Sequence, residues 1–285
     1  MGEMRRRMEK ELKLRGLSPK TCQIYLQAIH NFVRHHRRPA EEMGVEEARA
    51  YVLYLIEDKQ LSRSSVIQAV CALRFFYRKV LRLSFDLDEL PLQKGHKTLP
   101  YTLSEKEVAA LLEAEADLKY RALLMTLYSG GLRLQEALQL RPVDIDSAGM
   151  RIRIRAGKGG KERYVMLSSI LLATLRDYFK KYKPENWLFF GKAKTTPVHP
   201  RSVQRMIQQA ATAAGIRKRV TTHVLRHSFA THLLDRGTNL RYIQELLGHR
   251  NIQTTMIYIH VRRRTLTDVV SPLDWLGAKT QEQRK

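Results

Sequence analysis

Residues 151–167, RIRIRAGKGGKERYVML, decide how the rest of the chain is read. The first six alternate between basic and apolar side chains, Gly157-Lys158-Gly159-Gly160 turns the backbone, and residues 162–167 return with Tyr164, Val165 and Met166. A period of two on both sides of a glycine turn is the pattern of a β-hairpin. Elsewhere the apolar period is 3.6, so this hairpin sits inside an otherwise helical chain.

Working towards the N-terminus, residues 8–85 read as helices. Leu17-Ser18-Pro19-Lys20-Thr21 is a cap with proline at the first helical position, followed by Ile24, Tyr25, Ala28, Ile29, Phe32 and Val33 at helical spacing. Further starts fall at Gly44-Val45-Glu46 and at Leu61-Ser62, the second running through Val66, Val70, Leu73 and Phe76 to Leu81. Residues 86–100 hold Pro91, Gly95 and Pro100 and no periodic apolar face, which predicts a linker between residues 1–85 and 101–285. Beyond it, Ser104 opens a helix with Glu107 three residues later, and residues 120–140 hold two more helices broken at Ser129-Gly130-Gly131. Helical periodicity resumes near Leu171. The expected fold class is mainly α, with a mixed α/β second domain holding the hairpin.

The chain has 285 residues, with 51 Lys and Arg against 28 Asp and Glu, a net charge of +23 and a pI near 10.2. Residues 1–98 carry 19 basic and 12 acidic side chains and the remainder 32 and 16, so the two parts stand at +7 and +16. Charge this one-sided points to a polyanion, with nucleic acid ahead of a membrane surface. No stretch is apolar enough to cross a bilayer, and the expected location is cytoplasmic, nucleoid-associated when bound to DNA. Cys22 and Cys71 are too few for a disulfide framework and are read as core residues. No metal and no cofactor are expected.

Taken singly, the polar motifs are weak. Gly157-Lys158-Gly159-Gly160-Lys161 lies between strands and is no P-loop, and by itself it is a turn with a solvated lysine. His223-Val224-Leu225-Arg226-His227 puts His223 and Arg226 on one helix face, where both could reach one phosphate or merely decorate a helix end. Leu246-Leu247-Gly248-His249 is a helix end with glycine at the cap. Tyr258, between Ile257 and Ile259, would by itself be a core aromatic.

Together and in order, Gly131-Leu132-Arg133-Leu134-Gln135-Glu136, Lys158, His223-x-x-Arg226-His227, Leu247-Gly248-His249 and Tyr258 nine residues later resemble the tyrosine recombinase (phage integrase) family over nearly the whole chain. The resemblance implies a helical, SAM-like core-binding domain at the N-terminus and a catalytic domain of the tyrosine recombinase type. It also implies site-specific recombination through 3′-phosphotyrosyl intermediates and a Holliday junction. Arg133 and Arg226 suit the non-bridging oxygens of the scissile phosphate, because a guanidinium binds in a fork and keeps its charge. Tyr258 suits the nucleophile and Lys158 the general acid for the leaving 5′ oxygen. His223 would deprotonate the tyrosine or bind the phosphate, and His249 would close the clamp. Glu136 would orient its catalytic neighbours, although on chemistry alone it could be a surface ion pair. His227 and His260 are given structural roles, and Tyr164 and Tyr242 lack the spacing of a nucleophile.

The implied partner is double-stranded DNA with short inverted-repeat core sites, bound by a homotetramer on two sites, with a paralogue as a possible second subunit. The two domains are expected to wrap the duplex as a C-shaped clamp. Lys20, Arg63, Arg74, Lys79, Arg201 and Arg205 are candidate DNA contacts, each as readily a solvated charge. The tail around Val269-Val270-Ser271-Pro272-Leu273-Asp274-Trp275-Leu276 is expected to dock on a neighbouring protomer or to strap its own domain. Ser271-Pro272-Leu273-Asp274 and Thr254-Thr255-Met256-Ile257-Tyr258 are similar to integron integrases, whose base-reading insertion is missing from the 65 positions between Lys158 and His223, and the size and short catalytic domain are equally like the Xer recombinases. A helix starting almost at residue 1 is read as leaving no arm-binding domain. The competing readings are a catalytically silent DNA-binding protein of the same fold and a type IB topoisomerase-like relaxing activity.

Overall fold

The computed structural model describes residues 2–83, 90, 92, 101–155, 162–249 and 251–261. The chain forms two compact units, residues 1–97 and 98–285. Most of the expected linker, Lys158 and the tail around Trp275 lie outside the described residues.

The first unit packs α1 (Gly2–Leu14), α2 (Pro19–His36), α3 (Val45–Glu57) and α4 (Arg63–Phe75). Helix α1 starts six residues before the expected position, because Met8 and Leu12 are buried and Arg5 pairs with Glu9 one turn on. Ser18 caps α2 by accepting the Thr21 N–H at 3.1 Å, with Pro19 at the first turn, and Ser62 caps α4 in the same way. Phe32 is fully buried and meets Tyr51 and Tyr77 edge-on, at centroid separations of 5.3 and 6.5 Å. Helix α4 continues into a π-helical turn, Phe76–Leu81, which buries Phe76, Tyr77 and Val80.

In the second unit the Ser104 box closes as expected, with Glu107 N–H on the serine hydroxyl and Ser104 N–H on the glutamate. Helices α5 (Glu105–Ala114), α6 (Leu118–Ser129) and the short α7 (Leu134–Leu138) lead to the sheet. The hairpin is present as β2 (Arg151–Ile154) and β3 (Arg163–Met166), antiparallel with Ile152 opposite Val165. A two-residue strand that the alternation is too short to reveal, β1 (Ile145–Asp146), pairs with β2 and completes the order β1-β2-β3.

Helices α8 (Ser169–Tyr182), α9 (Pro200–Ala213), α10 (Thr222–Asp235), α11 (Leu240–Leu247) and α12 (Gln253–Val261) follow. Helix α10 buries Val224, Leu225 and Arg226 and then Ser228, Phe229, Ala230 and Thr231, with half-buried His227 between them. A helix covered on all sides is a central helix, and every polar group it carries needs a partner. The architecture is therefore mainly α: a helical N-terminal unit and a mixed α/β second unit with a small antiparallel sheet.

Candidate active site

The site forms where four segments meet around α10: the Gly130-Gly131 turn with the start of α7, strand β3, the end of α11, and α12. Gly131 has φ +57°, and a Cβ there would lie 2.3 Å from the Phe229 ring, so only glycine lets the chain turn this close to α10. That turn aims the Gly131 carbonyl at Arg226, whose Nη1 donates to it at 2.7 Å. Arg226 Nη2 donates to the Leu247 carbonyl at 2.6 Å and to His249 Nε2 at 3.1 Å. Arg226 is 4% exposed, and burial, with Arg133 nearby, lowers its pKa to about 10, so it remains a cation at neutral pH.

Glu136 is buried at the centre of the positive cluster, not on the surface. Its Oε2 accepts the Arg133 backbone N–H at 2.8 Å and its Oε1 accepts Arg133 Nη1 at 2.8 Å. Arg163 reaches the same carboxylate through both Nη atoms, at 3.0 and 2.8 Å, and Arg226 Nη1 lies 3.8 Å away. Burial alone would raise the Glu136 pKa, but the hydrogen bonds from Arg163 and Arg133 overcome it and hold the group at about 2. Three guanidinium groups thus share one carboxylate.

An arginine side chain only donates, so His249 Nε2 must be the acceptor of its bond with Arg226. Nδ1 then carries the proton and donates to Thr255 Oγ1, 2.9 Å away on α12 and fully buried. Burial, then Arg226 and Arg133, push the His249 pKa down to about 4, which agrees with a neutral ring.

Tyr258 is 1% exposed and packs with Phe229, Ala230, Leu234, Ile243 and Leu247 between α10, α11 and α12. Its hydroxyl meets Nδ1 of His227 at 3.0 Å. Burial raises the phenol pKa, while the positive fields of Arg226 and Arg133 oppose it. The core placement and the placement beside the arginines hold together.

Arg133, Glu136, Arg226, His249 and Tyr258 are therefore brought into one cluster around α10. His223 is exposed on the first turn of α10, and it is His227, one turn deeper, that touches the tyrosine. Lys158 lies outside the described residues, as does the side chain of His260. Two residues escaped sequence reasoning. His227 follows the conspicuous Arg226 and was read as structural. Arg163 stands on the same strand face as buried Val165, and an arginine on an apolar face is the signal that could have exposed it.

Of the candidate DNA contacts, Lys20, Arg63, Arg201 and Arg205 are exposed, the last two one turn apart on α9. Lys79 is half-buried. Arg74 is half-buried too, with its guanidinium donating to the Leu90 carbonyl. Among the described residues no group of three or more His, Cys, Asp or Glu side chains could hold a metal ion, and no helix is long and apolar enough to cross a membrane.

Residues 101–264 match the phage integrase family and residues 4–86 the phage integrase N-terminal SAM-like domain. The chain is 40% identical over 277 residues to the Sinorhizobium fredii protein y4qK, provisionally described as an integrase/recombinase, covering 97% of this chain and 90% of that one. It is 33% identical over 264 residues to tyrosine recombinase XerA of Pyrococcus furiosus, covering 91% and 90%. Among solved structures, XerA recombinase is similar over 99% of this chain and 98% of that one, at 28% identity and a TM-score of 0.53. A lambda integrase dimer bound to a COC' core site shares the fold at a TM-score of 0.74 and 19% identity, covering 95% and 80%. The chain accordingly belongs to the phage integrase family and is a tyrosine recombinase, an enzyme that cleaves and rejoins DNA.

Proposed function

We propose that this chain recombines double-stranded DNA at short inverted-repeat core sites, with Tyr258 as nucleophile and a Holliday junction between two rounds of strand exchange. The observation that carries the reading is three guanidinium groups held by one buried carboxylate, beside the Tyr258 hydroxyl. Such a pocket has a surplus of positive charge and suits an anion the size of a phosphodiester.

Arg133 and Arg226 take the non-bridging oxygens, where charge grows as the tyrosyl oxygen attacks phosphorus. The phenol proton passes to His227, the bond to the 5′ oxygen breaks, Lys158 supplies the proton to that oxygen, and a 3′-phosphotyrosyl link keeps the bond energy for religation. A bound phosphate beside His249 would raise its pKa and favour a proton on Nε2, turning that atom from acceptor into donor. In this reading His223, exposed on the first turn of α10, binds the same phosphate. The active form is a homotetramer on two DNA sites, alone or with a paralogue, acting in the cytoplasm.

The test is covalent capture. Purified protein is incubated with sheared DNA from its source and denatured, and the fragments that remain attached are sequenced, with Tyr258→Phe alongside. Enrichment of one inverted-repeat site in the wild type and its absence in the variant is the expected result. Scattered capture would favour a relaxing, topoisomerase-like activity, and binding without capture a silent DNA-binding protein.

A further inference from the structure

We propose that Arg163 is a positioning residue for strand cleavage: it locks the phosphate-holding groups of α7, α10 and α11 into one frame. The proposal rests on reading the pocket as a phosphodiester site, but its geometry stands independently. Strand alternation places Arg163 on the inward face of β3 with Val165, opposite Ile154, where a charge is tolerated only if its donors are well partnered. The side chain is 12% exposed. Nη1 and Nη2 take the two oxygens of Glu136, and Nε donates to the Leu246 carbonyl at 2.8 Å.

A second observation comes from the backbone. Gly248 has φ +62°, and a Cβ there would lie 3.2 Å from Cδ and Nη1 of Arg163 and 3.3 Å from Cζ. The Arg163 side chain is therefore packed close against Gly248, the residue that precedes His249. Each phosphate-facing group is one step away from it: Arg133 and Arg226 through Glu136, and His249 through Gly248. Lysine gathers its three donors on one nitrogen, without the planar fork that lets Arg163 reach both carboxylate oxygens from its Nη atoms and the Leu246 carbonyl from Nε.

The decisive experiment compares the full-length wild type with Arg163→Lys, which retains the charge, and with Arg163→Gln paired with Glu136→Gln, which removes both charges together. The probe is a nicked duplex built on the fragment that the wild type captures covalently. Thermal melting and the noncovalent Kd for that duplex serve as controls. We expect Arg163→Lys to fold and to bind within about twofold of wild type while covalent capture slows about 100-fold, the cost of a phosphate site misplaced by about an ångström. Replacing the leaving 5′ oxygen by sulfur, a leaving group that needs no proton, is expected to restore Lys158→Ala but not Arg163→Lys.

Hydrogen exchange of the Gly248 and His249 amides in DNA-free protein gives a readout that needs no catalysis, and it is expected to quicken in Arg163→Lys. Capture at the wild-type rate, full rescue by sulfur, unchanged exchange, or a loss that follows melting and Kd alone would each overturn the proposal. If the wild type captures nothing, the phosphodiester reading fails, and the exchange result still decides whether Arg163 holds the frame.

Discussion

Arg226 spends its donors on two backbone carbonyls and a histidine, which fixes its position before any substrate arrives. Arg226→Lys cannot reproduce that set, and covalent capture is expected to fall about 100- to 1000-fold with little change in noncovalent binding, as for the loss of one preorganised oxyanion donor. An equal fall in affinity would show that Arg226 acts on binding and not on the reaction.

His249 and Glu136 make stability depend on pH. The folded state holds His249 at about 4, below its ordinary 6.5, so on acidification the unfolded chain takes up the proton first and stability declines from about pH 6.5 to about 4. His227, lowered first by its burial, adds in the same direction. Glu136 sits at about 2 against an ordinary 4.5, so its contribution is complete above 4.5 and disappears as pH falls towards 2. Calorimetry from pH 7 to 3 is expected to show His249→Gln flattening the upper part of the decline and Glu136→Gln the lower. Parallel curves for all three proteins would remove these groups from the account.

At the scale of elements, the turn between α6 and α7 is the tightest constraint. Gly131→Ala combines a left-handed backbone with a methyl group driven into Phe229, and it should cost about 2 to 4 kcal/mol, read as a lower urea midpoint at constant m. A wild-type midpoint would mean that α10 yields easily there. The caps at Ser18, Ser62 and Ser104 were legible because each is a local bargain between a side chain and the next turn. Strand β1 was not, since two residues show no period, and its pairing is set by β2. The early start of α1 also depended on a distant event, the burial of Met8 and Leu12 in the first unit's core.

For the whole molecule the net charge of +23 predicts binding that weakens steeply with salt. Arg201 and Arg205 lie one turn apart on the exposed face of α9. If both touch phosphates, removing them as Arg201→Ala/Arg205→Ala should lower affinity across all sequences and reduce the slope of log K against log salt by about 1.8. A slope equal to that of wild type would return both to the solvated surface. Arg74, tied to the Leu90 carbonyl, is expected to alter that slope less.

What the sequence determined by itself is what depends on neighbours along the chain: helical periods, caps, the hairpin, and the ordered motifs that mark the family. Arg133, Glu136, Arg226, His249 and Tyr258 could be named from those motifs, because their types and spacings are local. Tertiary structure alone decided that Glu136 is a buried hub, that His227 and not His223 meets Tyr258, and that Arg163 joins the cluster. Those facts arise where segments 27, 31 and 90 residues apart pack together, and burial there demands partners that no local pattern specifies.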